Sequence, residues 1–232
     1  YDPIKKSSVG LFDYGLTEIT GFWIGDSLAL AAFIQGQDVG LMKWVFVDGE
    51  WSYRDIFRNF PVNIGNINGF GVHDSTIFLG SENGLWMGKF IDNLKDPANW
   101  EMPFPELSGT VSAMAFLESS ATLCHDGDLY VFNYGDLSVL NQQPITTPID
   151  FKYLAFDNKD YLWGIKGKTI YRKDIGFESI TYRYDLQSLA FDFDGTIFAG
   201  SIMGLVNVDT ANWVLESVIP NAPRTGQFSS IT

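Results

Sequence analysis

The chain has 232 residues, of which 46% are hydrophobic and 19% are charged, and its formal net charge at pH 7 is −13. This composition supports a folded globular body and excludes wholesale disorder. The acidity disfavours nucleic acid as a partner, because its phosphates would be repelled. No apolar stretch approaches the ~18 residues that a membrane-spanning helix needs. We therefore expect neither nucleic-acid binding nor membrane insertion.

Residue usage indicates an all-β protein. Aromatic residues make up 16% of the chain, 23 glycines punctuate it, and good helix formers are concentrated nowhere. The single cysteine, Cys124, excludes an internal disulfide framework. It lies in the alternating apolar stretch "TLCHDGDLY", which predicts a buried, unreactive thiol.

Taken in chain order, five stretches follow one plan. They begin at Ile19, Ile67, Val111, Phe151 and Leu186. Each predicts three short apolar strands joined by tight turns and, about ten residues later, a fourth strand at the edge. The fourth strands are predicted around Trp51, Trp100, Leu137, Phe177 and Trp213.

Tandem units of four antiparallel strands, repeating every ~35 to 50 residues, are typical of β-propeller blades. One four-stranded sheet cannot bury both of its faces, whereas neighbouring sheets bury them against each other. We predict an all-β chain that forms one propeller domain, with blades near 17–62, 63–109, 110–148, 149–184 and 185–226. Solenoids and sandwiches fit this strand rhythm less well. Partial blades at 7–15 and 228–232 lead us to expect six or more blades, or a longer parent polypeptide.

One segment carries a family resemblance. "AFDFDGTIFAGSIMGLVNVD" (190–209) resembles the repeat of the two-component-regulator propellers, which occur in bacterial sensor domains and secreted proteins. The matching positions are Asp192, Gly195, Phe198, Gly200, Ser201, Gly204 and Leu205, and in the second unit Phe78, Gly80, Ser81, Gly84, Leu85 and Trp86. Serine replaces the threonine expected after glycine in both copies. The resemblance implies a bacterial, extracytoplasmic protein, and the family includes a propeller subunit of the type IX secretion attachment complex.

The acidic turn in this segment raises the question of a metal site. Asp192 and Asp194 stand two apart before Gly195, as in many calcium loops. The equivalent positions of the other units are polar turns without paired carboxylates, and few further oxygen ligands follow. We predict a hairpin turn, with the two aspartates as weak metal candidates.

No motif predicts catalysis. His73 and His125 each precede an aspartate beside a turn, and without a nucleophile or a third ligand we expect them to be surface turn residues. No glycine loop cradles a phosphate, and we predict no cofactor and no catalytic residue.

The seven tryptophans could offer platforms for sugars. Their recurrence in strands favours core positions, and we predict that Trp51, Trp100 and Trp213 fill the space between outer strands.

The links from an outer strand to the next inner strand are the best candidates for binding. Two of them, "RNFPVNIGN" (58–66) and "LKDPANWEMPFPELSG" (94–109), are rich in proline and aromatic residues. We predict binding residues on this loop face at Asn59, Phe60, Trp100, Phe104 and Arg224.

These observations favour a non-enzymatic binding or scaffold module of a secreted or surface protein. Its predicted partner is a protein or a glycan, and other domains of the same polypeptide could also contact it. Two alternatives stay open: a polysaccharide lyase or glycosidase that uses carboxylates from different blades, and a periplasmic sensor input domain.

Overall fold

The structure, a computed structural model, describes residues 17–143, 148–173, 177–192 and 194–218. Within these residues the chain forms five four-stranded antiparallel sheets, in each of which neighbouring strands follow one another along the chain. We call these sheets blades 1 to 5. This architecture confirms the predicted all-β fold with four-stranded blades. Among the described residues, none of the helices has the length and apolar character needed to cross a membrane.

The strands are short and are joined mostly by tight turns. Blades 1 and 2 contain β1 (Thr17–Ile24), β2 (Leu28–Gln35), β3 (Asp38–Val47), β4 (Glu50–Phe57), β5 (Ile67–His73), β6 (Thr76–Ser81), β7 (Gly84–Lys89) and β8 (Trp100–Glu101). Blade 3 contains β9 (Val111–Phe116), β10 (Ser120–His125), β11 (Asp128–Asn133) and β12 (Asp136–Gln143). Blades 4 and 5 contain β13 (Tyr153–Phe156), β14 (Leu162–Lys166), β15 (Thr169–Lys173), β16 (Phe177–Thr181), β17 (Leu186–Phe191), β18 (Ile197–Ser201), β19 (Gly204–Asp209) and β20 (Val214–Ser217). Two single-turn 3-10 helices, Pro97–Asn99 and Pro105–Leu107, lie on either side of β8.

Local sequence explains the hairpins. The turn between β3 and β4 is Asp48-Gly49, with φ of 54° and 84°. Asp126 and Gly127, with φ of 50° and 86°, repeat this geometry between β10 and β11. Positive φ at both central residues defines the turn whose twist matches that of paired strands, and aspartate and glycine tolerate it best.

The contacts divide the chain into two compact units, the first ending at Val111 and the second beginning at Ser112. In the first unit, blades 1 and 2 pack face to face. Leu30, Ala32 and Leu41 of blade 1 share one buried cluster with Ile77 and Leu79 of blade 2. Because β2 alternates its side chains, Ala31 and Phe33 point to the opposite face of blade 1.

Among the described residues, buried clusters join the blades of the second unit. One joins blades 4 and 5 through Trp163, Ile165 and Ile170 on one side and Leu189, Val206 and Val208 on the other. Another joins blades 3 and 4, and its members include Ala113, Cys124, Leu129, Phe151 and Leu162. Cys124 is fully buried, as predicted, and burial raises the pKa of its thiol.

The tryptophans follow the prediction only in part. Trp86, Trp100 and Trp163 are buried as expected. Trp51 was predicted to lie in the core, but 43% of it is exposed, because it lies at the end of blade 1 beside the turn between β3 and β4. The remaining ones, Trp23, Trp44 and Trp213, are half-buried.

The two histidines end their strands beside turns. His73 lies 3.5 Å from Asp74, between Nε2 and Oδ2. His125 was expected at the surface, but only 11% of its side chain is exposed. The ring of Tyr130, 6.0 Å away in an edge-on arrangement, helps to cover it.

Candidate functional site

An open pocket of about 490 Å³ lies at the junction of blades 1 and 2. It is bounded by the β2–β3 turn, the link after β4 and the first 3-10 helix. Its lining residues are Gln37, Asp38, Val39, Arg58, Asn59, Phe60, Val62, Asn63, Ile64 and Pro97. This volume lies within the ~300 to 1,000 Å³ typical of ligand sites. We call it the junction pocket.

Arg58 forms one wall of the junction pocket. Its guanidinium lies 3.5 Å from the Asp38 carboxylate and donates a hydrogen bond of 3.1 Å to the Gln35 side chain. The guanidinium carbon also lies 5.1 Å from the centre of the Phe33 ring. These three contacts fix the plane of the guanidinium, so that it offers directed donors to a ligand.

Asn59 and Phe60 form the wall next to Arg58. The Asn59 amide donates a hydrogen bond of 3.1 Å to the Lys95 carbonyl, which ties the link after β4 to the segment before β8. Phe60 is half-buried, and its ring lies 5.0 Å from that of Trp100. One edge of Phe60 therefore anchors in the core while the residue lines the pocket.

The segment from Leu94 to Trp100 is fastened at several points. The Trp100 indole donates to the Leu94 carbonyl at 3.0 Å, and the Asp96 carboxylate accepts from the Ala98 amide and caps the 3-10 helix. A salt bridge of 2.7 Å joins the Lys95 ammonium to the Asp55 carboxylate of β4. A rigid wall suits a binding site, because less conformational entropy is lost when a ligand binds.

The salt bridge between Asp55 and Lys95 shifts the pKa of both groups. Partial burial opposes ionisation of Asp55, but hydrogen bonds from Lys95 and from the Ile56 amide outweigh it. The pKa of Asp55 is therefore lower than its ordinary value. The hydrogen bond to Asp55 raises the pKa of Lys95 in turn. Both groups are charged at neutral pH.

The five predicted binding residues divide into three groups. Asn59 and Phe60 line the junction pocket. Trp100 and Phe104 are buried, and the Trp100 ring packs against Phe60, which lines the pocket. Arg224 lies outside the described residues. Neither Asp38 nor Arg58 was among the predicted binding residues, although Arg58 begins the predicted link 58–66 and the polar turn "QGQD" at 35–38 could have drawn attention to Asp38.

The acidic segment at Asp192 forms the predicted turn. The Thr196 carbonyl accepts from the Asp192 amide at 2.9 Å, and the Asp192 carbonyl accepts from the Gly195 amide at 3.0 Å. The Asp194 carboxylate accepts from the Thr196 amide at 2.8 Å, which lowers the pKa of Asp194. Within the described part of the chain, no group of three or more His, Cys, Asp or Glu side chains is placed to hold a metal ion.

A second open concavity, of about 460 Å³, lies in the second unit beside the outer strands β16 and β20. The Tyr182 and Ser217 hydroxyls form a hydrogen bond of 2.6 Å there. The Arg183 guanidinium carbon lies 5.0 Å from the centre of the Tyr184 ring. Tyr182 and Arg183, in the link from β16 to β17, line this concavity together with residues of the outer strands. The two proline- and aromatic-rich links predicted to bind line the junction pocket, which is therefore the stronger candidate.

Comparison with known proteins supports the architecture. No protein-family model matches the chain. Nor does any curated protein match its sequence. Among solved structures, the chain is similar to the extracellular domain of a B. thetaiotaomicron protein assigned to a hybrid two-component system, with a TM-score of 0.66 and 15% identity. The match covers 88% of this chain and 28% of that domain. The fold is that of a β-propeller.

Two further propeller-like matches come from surface and matrix proteins. PorZ, a surface component of the type-IX secretion system of Porphyromonas gingivalis, matches with a TM-score of 0.57 and 14% identity, over 96% of this chain and 34% of PorZ. A structure of the nidogen/laminin complex matches with a TM-score of 0.61 and 10% identity, over 83% of this chain and 75% of that one. At these identities the likeness shows the fold. This propeller chain thus resembles extracellular domains of sensor and surface proteins, and it spans about a third or less of the two bacterial ones.

Proposed function

We propose that the chain is a non-enzymatic binding module of an extracytoplasmic protein and that the junction pocket receives a segment of a protein partner. The observation that carries this proposal is the pocket itself. It is open, it lies where two inter-blade segments meet, and hydrogen bonds hold its walls. Connecting segments on a rigid scaffold are where binding residues concentrate.

The lining of the pocket suits a polypeptide. Gln37, Asn59 and Asn63 carry side-chain amides, which can pair with both the N–H and the C=O of a peptide backbone. Phe60 and Val62 offer apolar surface to a side chain of the ligand. Asp38 is the one carboxylate among the lining residues, and it is engaged by Arg58. That arrangement favours binding over glycosidase chemistry, which uses two carboxyl groups across the scissile bond.

The fold supports an extracytoplasmic setting. Two bacterial likenesses are the extracellular domain of a hybrid two-component system and a surface component, and one further likeness is a complex between two proteins. An acidic chain with a net charge of −13 would stay soluble and would attract basic partners. A role in type IX secretion and a role as a sensor input are narrower forms of the same proposal.

The test uses a blocking variant and a matched control. Val62 is 53% exposed at the pocket, and Val62→Arg fills it with a long charged side chain. Ile91 is 87% exposed outside the pocket, so Ile91→Arg adds the same charge without obstruction. A phage-displayed random peptide library is selected on the immobilised protein, and the peptides are then measured against both variants.

We expect selected peptides whose affinity falls at least tenfold with Val62→Arg and is unchanged with Ile91→Arg. Peptides that bind both variants as well as the parent would contradict the proposal. A panel of neutral and acidic oligosaccharides is tested in parallel. Oligosaccharide binding that Val62→Arg abolishes, in the absence of any such peptide, would assign the pocket to a glycan and overturn the protein partner.

A further inference from the structure

The concavity beside β16 and β20 differs from the junction pocket in its lining. Its volume of about 460 Å³ lies within the ~300 to 1,000 Å³ typical of ligand sites. We call it the outer-strand concavity. Half of its described lining is apolar, and these residues are Ile180, Trp213, Val214 and Leu215. Three hydroxyl-bearing side chains and one guanidinium complete the lining, so that a single positive charge lies beside an apolar wall.

The guanidinium belongs to Arg183, in the link between β16 and β17. The chain carries 28 acidic side chains, but none of those in its described part lines this concavity. Within the described residues, Arg183 also takes part in no ion pair. By contrast, Arg172 in the same unit is paired with Glu178. Because no described carboxylate pairs with it, the Arg183 guanidinium can attract an anionic ligand.

Two tyrosine rings hold this guanidinium in place. Its carbon lies 5.0 Å from the centre of the Tyr184 ring and 5.9 Å from that of the Tyr182 ring. The two rings lie 5.9 Å apart in an edge-on arrangement. Tyr182 is buried, and its backbone amide donates a hydrogen bond of 2.8 Å to the Lys168 carbonyl. A cation that is positioned before the ligand arrives loses less conformational entropy on binding.

A pair of hydroxyl groups lies next to the cation. The Ser217 and Tyr182 hydroxyls form a hydrogen bond of 2.6 Å, and the Ser217 oxygen lies 3.5 Å from Nη2 of Arg183. In such a pair one hydroxyl donates to the other, and the proton of the second stays available to a ligand. Hydrogen bonds from a guanidinium and a hydroxyl to one carboxylate are of the strong, charge-assisted kind.

We propose that the outer-strand concavity binds the carboxylate of a ligand that also carries an apolar group. Arg183 and the hydroxyl pair receive the carboxylate, and the apolar wall receives the rest of the ligand. Apolar carboxylic acids and the C-terminal residue of a peptide share this chemistry. The site is separate from the junction pocket, so the inference goes beyond the binding of a protein segment there.

A sugar fits this lining less well. A sugar ring presents several neighbouring hydroxyl groups, which need acceptors as well as donors. None of the described lining residues carries a carboxylate or a side-chain amide. The Thr181 hydroxyl is already bonded to that of Thr169 at 3.0 Å. The supply of acceptors is therefore small, whereas the apolar wall has a use only for a ligand with an apolar group.

The first test is a titration of the whole chain with N-acetyl-leucine, followed by the chemical shifts of its backbone amides. N-acetyl-leucinamide is the matched control ligand, because it keeps the apolar group and lacks the negative charge. We expect the acid to bind with a dissociation constant on the order of 1 mM, and the amide to bind at least tenfold more weakly. Failure of the acid to bind at ~20 mM, or equal binding of the amide, would overturn the proposal.

The second test uses variants. Arg183→Gln removes the positive charge and keeps a polar side chain, and we expect it to raise the dissociation constant for N-acetyl-leucine at least tenfold. Arg54→Gln is the matched control, since Arg54 is an exposed arginine of β4. Val62→Arg, which obstructs the junction pocket, should also leave this binding unchanged, so that the two proposals can fail separately. Binding that survives Arg183→Gln would contradict the inference.

Two further ligands distinguish the sources of the carboxylate. A glycine-rich tetrapeptide that ends in leucine with a free carboxylate should bind at least as tightly as N-acetyl-leucine. Tighter binding of the tetrapeptide would identify the ligand as a peptide terminus, and equal binding would identify it as a small carboxylic acid. Glucuronic acid is the contrary probe. If it alone binds, and Arg183→Gln abolishes that binding, the concavity takes an acidic sugar and the proposal is wrong. The comparison of acid and amide uses the parent chain, so it decides the matter even if Arg183→Gln fails to fold.

Discussion

The ring of Phe60 lies 5.0 Å from the ring of Trp100, and the two planes are tilted by 58°. Phe60 lines the junction pocket, whereas Trp100 is buried and donates its indole N–H to the Leu94 carbonyl. One residue thus faces a ligand and the other holds it in place. The pair couples the surface of the pocket to the core between blades 1 and 2.

This division of roles predicts different effects of mutation. Trp100→Ala removes a buried indole and its hydrogen bond, and we expect it to lower the free energy of unfolding by about 3 to 5 kcal/mol. Phe60→Ala removes a half-buried ring and is expected to cost about half as much. Urea denaturation followed by circular dichroism measures both. Equal costs for the two variants would show that Phe60 is a core residue with no separate role at the pocket.

The salt bridge between Asp55 and Lys95 predicts a pH dependence. The pKa of Asp55 is lowered in the folded chain, so the ionised carboxylate stabilises the fold at pH values above its ordinary pKa of 3.8. That contribution is lost as the pH falls through the lower, folded-state pKa. We expect Asp55→Asn to reduce stability by roughly 0.5 kcal/mol at pH 7, because the pair is partly exposed.

Thermal denaturation at a series of pH values tests this prediction. The difference between parent and Asp55→Asn is expected to be constant from pH 7 to pH 5 and to shrink below pH 4. A difference that persists unchanged at pH 2 would mean that the asparagine perturbs packing. Lys95→Met should show the same pH profile, since it removes the other partner of the bridge.

The hydrogen bonding of the turn at Asp192–Thr196 predicts that calcium does not change the stability of the protein. Backbone hydrogen bonds close this turn, and the Asp194 carboxylate accepts from the Thr196 amide. We expect the melting temperature to be the same in millimolar Ca²⁺ and in EDTA. Gly195 has a φ of 86°, so Gly195→Ala is expected to cost about 1 kcal/mol. A rise in melting temperature on adding Ca²⁺, abolished by Asp194→Asn, would show instead that the turn is a metal loop.

Much of the fold could be predicted because each blade repeats the same local signals. The strands β5, β9 and β17 begin at Ile67, Val111 and Leu186, the residues at which the repeating units were placed. The aspartate–glycine turns are also local, since the positive φ of Asp48 and Gly49 is a property of those two residues. Alternation of apolar residues and turn chemistry are both readable along the chain.

The exposure of individual tryptophans could not be predicted in this way. Trp51 and Trp100 occupy equivalent outer strands, yet one is 43% exposed and the other is buried. Whether an outer-strand side chain is covered depends on what lies against that face of its blade, which no local pattern records. Arg58 was missed for a related reason, because its partner Asp38 comes from a different hairpin of the same blade.

The burial of Cys124 predicts that its thiol reacts only when the protein unfolds. Its sulfur lies 3.3 Å from the Ile149 carbonyl oxygen in the core between blades 3 and 4, and burial raises its pKa. The thiolate is the reactive form, so both burial and the raised pKa slow the reaction. We expect Ellman's reagent to label the thiol at least a hundredfold faster in urea than in buffer. Rapid labelling of the native chain would contradict a stable core at this position.

Arg172 packs its guanidinium against two tryptophan rings between blades 4 and 5. Its guanidinium carbon lies 4.8 Å from the centre of the Trp213 ring and 5.7 Å from that of Trp163, and its Nη2 contacts the Glu178 carboxylate. Only 19% of the side chain is exposed, so this cation–π attraction is poorly screened by water. We expect Arg172→Met, which keeps the packing of the stem, to lower the free energy of unfolding by about 1 to 2 kcal/mol.

Lys168→Met, at an exposed position nearby in the chain, is the matched control and should have little effect. Because the attraction is partly buried, the difference between the two variants should persist in 0.5 M NaCl. A difference that vanishes in salt would assign the effect to the exposed ion pair with Glu178 and not to the rings.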